Sequence, residues 1–419
     1  MRPRDSNQGT DKVTERGAAQ RDAERGGAQR DAERDAERGA ERGAAQRGGT
    51  ERAGRGRVRV AVVGASGYAG AELVGLLAGH PEVDVVGTFA HSYAGQAFER
   101  LFPRLRHLHR GVMHAFDPDL IAGVDLVCLA LPQGKSALAA KALHGRVGHI
   151  IDLGGDLRMR NARTWEHAYG QTHPAPELLG EAVYGLPELF GDDLPGARLV
   201  ACAGCYATVA QLAAAPAFAL GTTLRPKVRV HATSGSSGAG RKAEVALGFS
   251  ELSGDLRAYR VGSHQHVAEI RAGLERLCGG DVPVGFTPHL APIERGILAD
   301  VVLEANRPLH AATILATWRA AYRDSPFVRV VDPADRLPSV RDVARTPYCD
   351  LAPVVDSQTG DLVVIGVIDN LMKGAASQAV QVANRVLGFD ERVGLIPADL
   401  LNRAAKPANT AITPPGASS

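Results

Sequence analysis

The sequence predicts a dinucleotide-binding α/β domain with a parallel, doubly wound sheet, followed by an α+β domain whose sheet is mainly antiparallel. Three observations carry this prediction. First, VRVAVVG, beginning at Val58, runs directly into a glycine turn and then the helical pattern AGAELVGLLAGHPE. Second, VDVVGTFA (83–90), VDLVCLALP (124–132), GHIIDLGG (148–155) and RLVACAGC (198–205) recur with helical or loop segments between them, the alternation of a parallel sheet. Third, after the helical segment ATVAQLAAAPAFAL (207–220) the pattern changes. VRVHAT (228–233), VGFTPHLAPI (284–293), ILADVVLEA (297–305) and FVRVV (327–331) alternate more strictly, with few helices between. DLVVIGVIDN (361–370) then reads as a strand leading into an amphipathic helix, GAASQAVQVANRVLG (374–388).

Composition sets the limits. At 419 residues the chain exceeds the ~250–300 residues at which single cores stop growing, so two folded domains are expected. The net charge is only +2, from 48 basic and 46 acidic side chains, which leaves no excess to hold nucleic acid or an anionic membrane. A small-molecule partner is expected instead. The five cysteines are few, odd in number and scattered, unlike a disulfide framework, and point to a reducing cytoplasm. No apolar signal core opens the chain, and no segment approaches the roughly 20 apolar residues of a membrane helix. Residues 1–56 repeat RDAER, ERGA and AQRGG with almost nothing to bury, and read as a disordered low-complexity tail. A translation start placed too early, or a partner-binding segment, would look the same. The Pro- and Ala-rich stretch 404–419 reads as a flexible tail.

Gly64-Ala-Ser66-Gly67-Tyr68-Ala-Gly70 places a GxxGxxG spacing between a strand and a helix. There, backbone amides can face a pyrophosphate at the helix N-terminus and the glycines allow close approach; a tight turn with nothing bound has the same spacing. The second strand ends Thr88-Phe-Ala-His91-Ser92. It lacks the carboxylate that reads a ribose 2′-hydroxyl, and its His and Ser can donate to a phosphate, which favours NADP over NAD. His91 would read alike as a solvated loop residue. Cys205 follows a strand and opens a helix, where the dipole favours thiolate and so a nucleophile. Cys128 lies within an apolar strand and reads as packing. Cys202 and Cys205 form a CxxC, but no further ligands complete a zinc set; a disulfide masking Cys205 is the other reading. His264-Gln-His266 offers an acid/base partner for the thiol, and no third ligand that would turn the pair into a metal site. The Gly/Ser loop 233–240, closed by Arg241 and Lys242, reads as an anion site or as a flexible linker.

Taken together, GASGYAGAEL (64–73), SYAGQ (92–96), ALPQGKS (130–136), DLGGDLR (152–158), YGLPEL (184–189), AGCYAT (203–208), SGSSGAGRK (234–242), HQHVAEI (264–270), FTPHLAPIERGI (286–297) and DNLMKGAASQAVQ (369–381) resemble the N-acetyl-γ-glutamyl-phosphate reductase family. The ten motifs run in the family's order across about 58–388. The resemblance implies a Rossmann domain split between 58–205 and 357–390. Between these it implies a catalytic and oligomerisation domain (206–356) of the glyceraldehyde-phosphate and aspartate-semialdehyde dehydrogenase type. It implies that Cys205 is the nucleophile and His264, first of the family's two histidines, the acid/base group. It implies cofactor contacts from Gly64, Ser66, Gly67, Tyr68, Gly70, His91, Ser92, Pro132 and Asn370. Substrate anions would fall to Arg158, Ser236, Gly238, Arg241 and Lys242, with no metal. The family's Asn-Pro before Gly-Cys is Cys202-Ala203 here, the proline of its histidine motif is Ala268, and its Ser-Arg after the second strand is Ala90-His91. None of these changes removes a reacting group.

The expected activity is NADPH-dependent reduction of N-acetyl-γ-glutamyl phosphate through a Cys205 thioester, in arginine biosynthesis, by a cytoplasmic homotetramer or homodimer. The same chemistry on an aminoadipyl or aspartyl phosphate is the near alternative. A non-catalytic dinucleotide-binding regulator is the distant one, and Cys205, His264 and the anion loop together argue against it.

Overall fold

A computed structural model of the chain describes residues 56–398 and 401. The tails expected at 1–56 and 404–419 lie outside the described residues, apart from Gly56. Six strands form a wholly parallel sheet: β1 (Val58–Val63), β2 (Val83–Phe89), β3 (Leu126–Leu129), β4 (His149–Asp152), β5 (Val183–Gly185) and β6 (Leu199–Cys202). Their order is β2-β1-β3-β4-β6-β5. The order reverses beside β1, so the crevice at its carboxyl end is where such sheets take a ligand. The strands are almost continuously apolar because both faces are covered, by α1 (Tyr68–Ala78) among others.

The second sheet has seven strands in the order β11-β12-β13-β10-β7-β9-β8. They are β7 (Leu224–Ser234), β8 (Arg257–Ala258), β9 (Val284–Leu290), β10 (Ile297–Ala305), β11 (Val328–Val330), β12 (Cys349–Val355) and β13 (Leu362–Ile368). Four of its six pairings are antiparallel; β7 with β9 and β11 with β12 are parallel. In β10 the side chains alternate strictly: Ile297, Ala299, Val301 and Leu303 are buried in the core shared with the helices. Those helices are α2 (Cys205–Ala214), α3 (His266–Cys278) and α4 (Ala311–Ala321), anchored by Trp318, which is fully buried and donates from Nε1 to Ala213 O at 3.2 Å.

Three expectations are corrected. The returning strand β13 pairs with β10 and β12 and belongs to the second sheet, not to a Rossmann segment 357–390. Only the helix after it, α5 (Ser377–Leu387), packs into the first core, through Ala379, Val380, Val382, Ala383 and Val386. The helix expected over 207–220 begins at Cys205 and passes after Ala214 into a 3₁₀ run, with Pro216 near its start and Gly221 at φ +57°. The second domain also carries more helix than expected, with α3 and α4 lying between its strands.

Candidate active site

At the dinucleotide end, Gly64 sits at φ +88°, and a Cβ there would lie 2.2 Å from Ala130 O. A Cβ on Gly70 would lie 2.2 Å from Gly64 O. Only glycine fits either place, so the turn brings bare backbone to the sheet's carboxyl edge. Gly67 caps α1 in extended conformation with no side-chain cap and no acidic residue in the first turn, leaving the helix amides free for an anion. Ser66 lies in the same turn, and Tyr68 is exposed beside a cleft of about 610 Å³ lined also by Ser236, Arg241 and Lys242. His91 and Ser92 are exposed past the end of β2, with Nδ1 and Oγ 3.5 Å apart. Pro132 is exposed past the end of β3.

Cys205 is the first residue of α2, held by the parts around it. The Gly204 N–H donates to Glu269 Oε1 at 2.7 Å, and a Cβ on Gly204 would lie 2.5 Å from Arg158 Nη1 and 2.6 Å from His266 Nε2. On the far side, a Cβ on Gly374 would lie 2.7 Å from Cys205 Cβ. The thiol borders a cavity of about 470 Å³ with Ser234, Gly238, Tyr259, His264 and His266. The expected helix-lowered thiolate is not the resting state. Burial pushes the thiol up to about 11, outweighing Arg158 and the backbone N–H groups of Tyr206 and Cys205, which pull it down.

His264 is 6% exposed and its Nδ1 accepts the His266 N–H at 3.2 Å. Burial, with His266 beside it, pushes its imidazole down to about 3, so it rests neutral, and with Nδ1 accepting, the proton sits on Nε2. Tyr206 fixes both rings, with centroids 5.6 Å from His264 and 5.7 Å from His266. His266, also pushed down to about 3 by burial, has a buried Nδ1 without a partner.

The structure thus brings Cys205, His264 and Gly238 to one cavity, and Tyr68, Ser236, Arg241 and Lys242 to the neighbouring cleft. Two predicted site residues are committed elsewhere. Arg158 was expected to hold a substrate anion, yet its side chain is 8% exposed and donates to Cys202 O, Leu153 O and Glu269 Oε2 at 2.8, 2.8 and 3.2 Å. It braces the loop behind Cys205. Asn370, expected at the cofactor, is buried: Oδ1 accepts Gly296 N–H at 2.6 Å and Nδ2 donates to Ser237 Oγ at 3.0 Å, so it holds the glycine/serine loop in place. Arg241 also differs from its expected role. It donates to Ser66 O at 3.2 Å and lies over Tyr93 and Phe102, on the dinucleotide side.

Sequence reasoning missed Glu269 as the hub. One buried carboxylate accepts from Gly204 N, Tyr184 Oη and Arg158. Its place one helical turn after His266 was the only available signal. The substitutions at Cys202 and Ala268 are absorbed: Cys202 serves through its backbone carbonyl, and Ala268 lies in the first turn of α3, where proline and alanine are both tolerated. All five cysteines are free thiols.

A glycine turn at the carboxyl edge of a parallel sheet, with a cysteine at a helix start in the neighbouring cavity, defines a class, and comparison with known proteins identifies it as the semialdehyde dehydrogenase type. The family model for the semialdehyde dehydrogenase NAD-binding domain matches residues 59–197, and that for its dimerisation domain matches 205–370. The fold is shared with solved structures, including aspartate semialdehyde dehydrogenase II from Vibrio cholerae (TM-score 0.59, 16% identity, covering 79% of this chain and 98% of that one). It is shared also with the Candida albicans aspartate semialdehyde dehydrogenase with NADP (TM-score 0.57, 14% identity, 78% and 97% covered). Within the class, the chain belongs to the N-acetyl-γ-glutamyl-phosphate reductase family. It is 43% identical over 340 residues to the member from Symbiobacterium thermophilum, covering 81% of this chain and 97% of the relative. It is 44% identical over 340 residues to that of Salinispora tropica, with the same coverage.

Proposed function

We propose that this enzyme reduces N-acetyl-γ-glutamyl phosphate with NADPH to N-acetylglutamate semialdehyde and phosphate, a step toward arginine. The observation that carries the reading is the cavity that joins Cys205 to His264 beside the glycine/serine loop and next to the dinucleotide crevice. The crevice residues fit the cofactor: Gly64 and Gly70 leave no room for a Cβ that would block the phosphates, the α1 amides are uncapped, and no carboxylate but the exposed His91 and Ser92 follow β2. These last two favour the ribose 2′-phosphate of NADP, and Arg241 and Lys242 add positive charge to the adjoining cleft.

Cys205 sulfur attacks the acyl carbon, the bond to phosphate breaks, and a thioester remains on the enzyme. Backbone N–H groups at the start of α2 stabilise the sulfur anion that forms, and the proton it sheds passes to solvent or to the departing phosphate. When bound, the nicotinamide supplies the hydride that turns the thioester into an aldehyde. His264 holds its Nε2 proton for the oxyanion that develops at the carbonyl, and Cys205 leaves as the carbon–sulfur bond breaks. Glu269 and Arg158 keep Gly204 and Cys205 fixed throughout. The subunits assemble as a homodimer or homotetramer in the cytoplasm.

The test is phosphate-dependent oxidation of N-acetylglutamate semialdehyde with NADP, run against NAD and against N-acetylaminoadipate semialdehyde. The expected result is preference for NADP and for the glutamate compound. Substantial phosphate-dependent turnover by Cys205→Ser would refute the thioester.

A further inference from the structure

Two segments, the one after β3 and the end of β4 with its following loop, converge on one buried hydroxyl. Ser136 Oγ lies 3.1 Å from Asp152 Oδ2 and 3.0 Å from Asp156 Oδ2, and all three residues are fully buried. Asp156 is well supplied as an anion. Its Oδ1 accepts the Gly134 N–H at 2.8 Å and its Oδ2 the Ala137 N–H at 3.0 Å. Asp152 accepts only the Gly154 N–H, on Oδ1, at 2.7 Å. A serine hydroxyl has one proton to donate, so it serves one carboxylate, and the other short oxygen–oxygen contact needs a proton from elsewhere.

Among the described residues no cation bonds to either aspartate. Arg158, whose charge draws the Asp152 carboxyl down against the larger effect of burial, bonds to Cys202 O, Leu153 O and Glu269. The other titratable groups facing the pair are the Tyr169 hydroxyl and the Cys202 thiol, which burial holds neutral. Two ionised carboxylates sharing one hydroxyl in a dry site repel each other.

We infer that Asp152 is kept as a neutral carboxylic acid whose proton is donated to Ser136, which donates to Asp156, and that this chain positions the 132–137 segment against the Cys205 cavity. Gln133 in that segment lines the cavity, and Gly134 and Ala137 are tied to Asp156 on either side of Lys135. Asp152 is therefore a positioning residue for the proposed reaction. Burial, reinforced by Asp156, pushes the Asp152 carboxyl up from its ordinary 3.8 to about 7. A carboxyl raised on folding contributes most below its unfolded value, and that contribution is lost as pH climbs toward about 7. Above this, Ser136 faces two anions and the segment loosens.

The test pairs the full-length wild type with Asp152→Asn, whose amide oxygen accepts from Gly154 and whose amide nitrogen donates to Ser136, as the acid does. The infrared difference spectrum between the two at pH 6 should show the carbonyl stretch of a protonated carboxylic acid, gone in wild type by pH 8.5. The wild-type KM for the acyl phosphate should rise by about fivefold from pH 6 to 8.5, the size of a small loss of positioning free energy, while that of Asp152→Asn stays flat. Absence of the acid band at pH 6, or an equal rise in KM in Asp152→Asn, overturns the inference. Should Asp152→Asn fail to fold, the wild-type band at pH 6 against pH 8.5 decides alone. The role against the cavity rests on the proposed reaction; the infrared band does not, so the two fail separately.

Discussion

Cys205 feels two opposing influences, the helix start that favours a thiolate and the burial that disfavours it, and burial wins, with the thiol pushed up to about 11. A thiol raised on folding stays protonated below that value, so alkylation of Cys205 by iodoacetamide, followed by mass spectrometry of its peptide, should accelerate steadily from pH 7 to 10 with no plateau. A plateau near pH 7 would mean a pre-formed thiolate. His264 is the proposed proton donor. His264→Asn should lower kcat by about 10²–10⁴-fold, the usual worth of a positioned proton donor, with the dinucleotide Kd unchanged. Cys205 and His264 stood out in the sequence as candidates, the first because it opens a helix directly after a strand and the second as part of a His-x-His pair. The state of the thiol was not legible, since burial depends on Gly374 and β7, residues far along the chain from Cys205.

The strand-turn-helix that opens with β1 shows how much an element can disclose by itself: a glycine at positive φ, an apolar strand and an uncapped helix are all local properties. The β6–α2 turn discloses less. Gly204 looks like an ordinary helix start in sequence, but it is glycine because Arg158, His266 and Glu269 press on it from two other elements. Gly204→Ala should therefore destabilise the protein by about 1–3 kcal/mol through overpacking, read as a lower urea midpoint with unchanged slope. Glu269→Ala strands Arg158 in a dry site and should cost about 3–5 kcal/mol, measured the same way. The misplacement of β13 has a similar cause. A strand followed by a helix looks the same whichever sheet it joins, and only its pairing with β10 and β12 decides.

Across the whole molecule, the two sheets are tied by charge as well as by α5. Arg295, just before β10, donates to Glu72 on α1 at 2.8 Å and reaches Asp369 after β13 at 3.4 Å, with all three side chains nearly or fully buried. Arg295→Met should loosen one layer from the other, raising the KM for dinucleotide more than that for acyl phosphate, because Glu72 lies on α1, the helix whose N-terminus is proposed to hold the cofactor phosphates. Equal effects on both constants would argue against it. The described residues from Arg57 on form a compact unit of their own, and a chain beginning at Arg57 should match the full-length protein in kcat and thermal midpoint.

Gly374 touches the β-carbon of a residue made much earlier on the ribosome. Until the segment after β13 has emerged, Cys205 lacks the glycine packed behind it, and the first sheet lacks α5. A chain broken before that point lacks both the packing behind Cys205 and one of the helices that cover the first sheet. Completion of synthesis is thereby written into the connectivity as a condition of this packing.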